Sequence, residues 1–102
     1  MAITNANILA TATTVYTSTG NTVISTLHLC NQSVASVSVN LNLVPNTIAV
    51  GANNLIYKSL VITPGDTYVI ENERFILGNG DFISCTANTA DSVIATTTYT
   101  GI

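Results

Sequence analysis

A chain of 102 residues has room for one domain with one modest core. Only 7% of it is charged, against roughly a quarter in an average soluble domain, while 47% is hydrophobic and mean hydropathy is +0.48. With Lys58 and Arg74 as the only basic side chains and a net charge of -3, the chain lacks the clustered cations that bind nucleic acid or an anionic membrane surface.

The opening residues, MAITNANILATATT, carry no basic start and no long apolar run. No secretory signal is read there, and maturation in the cytoplasm is expected. Residues 1–7 are expected to form an arm that reaches onto an adjacent subunit. A strand is expected over residues 8–17, followed by the turn residues Ser18, Thr19, Gly20 and Asn21. A second strand covers 22–30 and closes at Asn31, Gln32 and Ser33.

Residues 35–43 show the clearest alternation. Ala35, Val37, Val39, Leu41 and Leu43 fall on one face; Ser36, Ser38, Asn40 and Asn42 fall on the other. That is a sandwich strand with an apolar inner face and a polar outer one. Pro45 and Asn46, then Gly51 to Asn54, break the pattern and mark the longest exposed loop.

Strands are read again over 55–62, 67–70, 74–77, 82–87 and 92–100. Pro64, Gly65 and Asp66 form a turn, and Gly78, Asn79, Gly80 and Asp81 read as a tight hairpin. Both turns carry Gly-Asp into a strand, so they are either two similar turns or corresponding turns on two sheets. Thr, Val, Ile and Tyr dominate, and no helical period lasts three turns. About eight short strands at this spacing predict an all-β fold: a single small antiparallel β-sandwich over residues 1–102, jelly-roll or Greek-key like.

The residues that carry chemistry do not gather into a motif. His28, the only histidine, lies mid-strand on the face shared with Thr26 and Cys30, with no acid near it to orient a nucleophile. Cys30 and Cys85 are read as reduced, buried small hydrophobes, with a Cys30–Cys85 bridge as the alternative. One histidine and two separate cysteines do not make a zinc site. Asp66, Asp81 and Asp91 stand in separate turns, where carboxylates bond nearby backbone.

Glu71, Asn72, Glu73 and Arg74 form the only charge cluster, read as a solvated corner or an intersubunit ion pair. Tyr16, Tyr57, Tyr68 and Tyr99 are read as half-buried, with sugar stacking as the alternative. No catalytic, cofactor or metal residue is assigned, and the chain is read as a non-enzyme.

Taken in order, several segments resemble one family: Thr14-Val15-Tyr16-Thr17, Cys30-Asn31, Val44-Pro45-Asn46, Asn53-Asn54-Leu55-Ile56-Tyr57, Pro64-Gly65-Asp66-Thr67-Tyr68, Ile76-Leu77-Gly78-Asn79-Gly80-Asp81 and the final Thr98-Tyr99-Thr100-Gly101-Ile102. Together they span nearly the whole chain and resemble short virion structural proteins of tailed bacteriophages, cyanophage-like ones in particular. The resemblance implies a non-catalytic capsid or tail component, a β-sandwich in trimers or larger rings.

The expected role is therefore a capsid decoration or cement protein, a homotrimer bound to a major capsid protein or other virion proteins. A tail, neck or fibre component that binds a receptor glycan through the loop at 50–54 and the tyrosines is the alternative. Low charge points the same way: a neutral β surface is stable in solution when neighbours cover it.

Overall fold

The computed structural model describes residues 2–71 and 75–102. Among them run nine strands: β1 Ala2–Ile8, β2 Thr13–Thr17, β3 Thr22–Asn31, β4 Val37–Val44, β5 Leu55–Ile62, β6 Thr67–Ile70, β7 Phe75–Leu77, β8 Phe82–Ala87 and β9 Val93–Gly101. A short 3-10 turn, Ala52–Asn54, precedes β5. The strands pair antiparallel into two sheets. Sheet I has the order β1-β9-β3-β6, with β7 also on β3; sheet II has the order β2-β8-β4-β5.

Residues Leu27 to Cys30 of β3 pair with β6, and Thr22 to Ile24 pair with β7. Those two short strands thus share one edge position. With that position counted once, the two four-stranded sheets and their crossings make a jelly roll. The expected single antiparallel sandwich is what the chain forms.

Side-chain alternation builds the core. Ile24, Leu27 and Leu29 of β3 meet Val37, Val39 and Leu41 of β4 and Ile83 and Cys85 of β8, all of them buried. Thr97 is buried on the same inner face of β9, and its hydroxyl has no hydrogen-bond partner. At the two open sides of the sandwich tyrosines close the gap between sheets. Tyr16 and Tyr99 stack with ring centroids 4.3 Å apart, and Tyr57 meets Tyr68 edge-on at 6.1 Å. All four pack half-buried against the core.

Four expectations are corrected. The residues expected as an arm, from Ala2 onward, are β1, which pairs with β9 of its own chain from Ala2–Tyr99 to Ile8–Val93. Its alternate Thr4, Ala6 and Ile8 give it an inner face that its own sandwich buries in part. The strand expected over 8–17 is split. After β1 the chain crosses to sheet II, and Thr13 Oγ1 accepts the Leu9 amide at 3.1 Å to close that crossing.

The turn Gly78 to Asp81 does not make a hairpin: β7 pairs with β3 and β8 with β2 and β4, so the turn carries the chain between sheets. Turn chemistry reverses the chain but does not choose its pairing partner. The turn at Thr63 to Asp66 does the same work at the opposite end. Each is closed by an amide-to-carbonyl bond of 3.1 Å, from Asp66 to Thr63 and from Asp81 to Gly78. Gly65 and Gly80 take positive φ of 72° and 85° there. They are corresponding turns that each link the two sheets.

Finally, Asn42 is outward-facing yet buried. Its amide donates to Gly51 O at 2.9 Å and to Asn54 Oδ1 at 2.8 Å. These bonds draw the loop between β4 and β5 over the end of sheet II, and they also cover Ser84.

Candidate functional site

Two surfaces stand out, one on each sheet. The outer face of sheet I is open. Register places Asn5, Thr96, His28 and Val69 side by side across four strands. Asn7, Ile94, Cys30 and Thr67 form the next row, and Ile3, Thr98 and Thr26 the row on the other side. None of these residues is Asp, Glu, Lys or Arg. Thr96 Oγ1 donates to Asn5 Oδ1 at 2.9 Å, so the polar groups bond along the face. Ile3, Val69 and Ile76 are well exposed on it.

His28 sits where the sequence put it, on the face with Thr26 and Cys30, because Leu27 and Leu29 turn inward. The neighbours that register gives it are Thr96 and Val69, neither of which can orient an imidazole as a carboxylate would. Among the described residues no three of His, Cys, Asp and Glu come together.

The outer face of sheet II holds a cleft of about 330 Å³. Asn40 and Asn42 of β4, Lys58 of β5 and Thr86 of β8 form its floor, and Val50, Gly51 and Ala52 form a wall. A bulge in β5 shapes this floor. Two residues, Lys58 and Ser59, stand opposite Asn40 alone. Ser59 takes a positive φ of 53°, and its amide donates to Asn40 Oδ1 at 2.8 Å. That bond occupies the oxygen of Asn40 and leaves its NH2 beside Lys58 and Thr86. The cleft therefore offers donors and one cation.

The carboxylates act locally. Asp66 accepts the Thr67 amide at 2.9 Å. Asp81 accepts the amides of Asn46 and Gly78, both at 2.8 Å. Asp91 accepts Asn7 Nδ2 at 2.6 Å and so ties β1 to the loop before β9. Of the charge cluster, Glu71 is exposed; Asn72, Glu73 and Arg74 lie outside the described residues.

Both cysteines are free. Cys85 is fully buried on the inner face of β8, as expected. Burial pushes its thiol up from 9.0 to about 12, against the smaller opposing effect of a backbone hydrogen bond at Thr86. Cys30 departs from the expectation: it lies half-buried on the outer face of sheet I, because its neighbours Leu29 and Asn31 take the inner positions.

The tyrosines turn into the sandwich and so do not wall the cleft, which separates them from the loop at 50–54. Asn40 and Thr86 went unread as cleft residues. Their only signal was an outward place on alternating strands, and that does not reveal a loop folding above them. Comparison with known protein families, with characterised proteins and with solved structures finds no match to this chain.

Proposed function

We propose that this chain is a non-enzymatic building block of a bacteriophage virion, a capsid decoration or cement protein that works by contact with its own copies and with a major capsid protein. One observation carries the reading: the open face of sheet I, four strands wide, where the rows from Ile3 to Thr67 hold no Asp, Glu, Lys or Arg among the described residues. A free monomer keeps such a face apart from others with charged side chains. A subunit gains by covering it, at about 25 cal/mol per Å² of apolar surface removed from water. The order of turns and strands that resembles tailed-phage virion proteins supports the choice of assembly.

Light scattering at micromolar concentration tests the proposal. A trimer or larger ring is expected, and Thr96→Glu, which places a charge beside His28 on the open face, is expected to shift it toward monomer. A wild-type protein that stays monomeric removes the reading.

The cleft favours a second reading, a receptor-binding component of a tail, neck or fibre. Its wall includes Val50 and Gly51, and Asn40, Lys58 and Thr86 present donors suited to the hydroxyl or carboxylate groups of a glycan. A glycan array separates the two readings: binding that is lost in Lys58→Ala favours the second.

A further inference from the structure

We infer that β1 is a docking edge for the β1 of a second copy of this chain, so that a two-fold axis joins two copies of sheet I into one continuous sheet. The inference rests on the assembly reading above and adds a second contact to it: a two-fold edge pairs copies two at a time, so it joins one trimer or ring to the next while the open face of sheet I serves the contacts within each.

The argument begins with the four edges of the sandwich. An edge strand exposes a row of unpaired N–H and C=O groups, and folded proteins blunt such rows with short strands, bulges and charges. Three of the four edges here are blunted. β5 is bulged twice, carries Lys58 and holds Ser59 at positive φ. β2 is five residues long and bulged between Thr14 and Tyr16. The β6 and β7 position is divided into pieces of four and three residues.

β1 has none of these defences. It is seven residues long, pairs with β9 in unbroken register, and contains no charge and no proline. Alternate residues of an antiparallel strand direct their backbone groups away from the partner they already have. On β1 those groups point away from the sandwich.

A second β1 is the occupant that the strand itself specifies. An isologous contact needs a surface complementary to itself. When two copies of Ala2–Ile8 overlap fully and antiparallel, Asn5 meets Asn5, and Thr4 meets Ala6. The residues beside the axis are small and neutral, so no like charges oppose each other across it. Side-chain parity also holds, since inner residues pair with inner residues and both open faces stay on one side.

β1 is also long enough to carry the contact: seven residues at about 3.3 Å each run roughly 23 Å, so a ladder can form along the whole strand.

The test places thiols at Thr4 and Ala6, which face the interior of the sandwich and not the open face. A contact between open faces therefore cannot bring them together. Thr4→Cys and Ala6→Cys are made in a Cys30→Ser background, then oxidised singly and as a mixture. Opposed residues of paired strands lie near enough for a disulfide.

A band at twice the 10.6 kDa chain mass is expected, strongest in the mixture. Absence of that band in all three samples overturns edge pairing. If the wild-type protein is then still oligomeric by light scattering, the assembly reading survives without it. A strictly monomeric wild type removes both.

Discussion

Asn31 shows how a single polar side chain holds several segments. It has no exposed surface, and every hydrogen-bonding site of its amide that faces the chain is used. Nδ2 donates to Ala35 O at 2.9 Å and Ile62 O at 2.8 Å, while Oδ1 accepts the Ser33 amide at 2.9 Å and the Ser33 hydroxyl at 2.7 Å. Asn31→Ala strands the buried Ile62 carbonyl and frees the part-buried groups of Ser33 and Ala35 to water. A loss of about 2 kcal/mol is expected in urea unfolding, because a buried orphan costs about 1 to 3 kcal/mol.

Cys85 makes a pH-dependent contribution. Its folded value of about 12 lies above the ordinary 9.0, so the fold favours the neutral thiol. The stabilisation is complete below pH 9 and is lost as pH rises from there through about 12. The stability difference between wild type and Cys85→Ala should shrink between pH 7 and pH 10.5. The sequence read Cys85 and Cys30 alike as buried, from their places inside strand-like runs, and only Cys85 is fully so. Asn31 was read only as a closing residue, because its buried bond runs to Ile62, thirty-one residues away.

Elements were the most legible scale. β5, β6 and β8 begin and end where alternation and turn residues place them. The break between β1 and β2 was not legible, since Leu9 to Ala12 keep the same Thr and Ala texture as the strands around them. Turn residues were read correctly as turns, and one of them sets a clear prediction. A Cβ on Gly80 would run into the side chain of Asn46, and φ is +85°. Gly20 has a similar φ of +69° but open space around it. Gly80→Ala should therefore cost about 2 to 3 kcal/mol and Gly20→Ala about 1 kcal/mol, measured side by side by thermal unfolding. Equal losses would show that Asn46 yields freely.

At the scale of the whole molecule, the class of fold was legible and the path of the chain was not. Strand spacing and inward-outward alternation point to a sandwich or barrel, but pairing joins segments far apart, such as Thr22 with Gly101. No local signal sets such a pairing. The cleft was illegible for the same reason, as it exists only because Asn42 draws a loop across sheet II. The open face was half-legible. The scarcity of charge showed in the composition, while its concentration on one sheet needed the register. If copies meet through that face, Coulomb terms contribute little to the contact. Oligomer mass should then change little between 50 and 500 mM salt. Dissociation by salt would point to contacts through Lys58 and the turn carboxylates instead.

The long connection between β4 and β5 is clamped at both of its bases. Asp81 holds the Asn46 amide at one, and Asn42 holds the Gly51 carbonyl at the other. The exposed residues 47–50 in between contribute nothing to the core. A foreign peptide grafted between Thr47 and Ile48 would start and finish on anchored backbone, so added chain there is expected to leave the sandwich beneath intact.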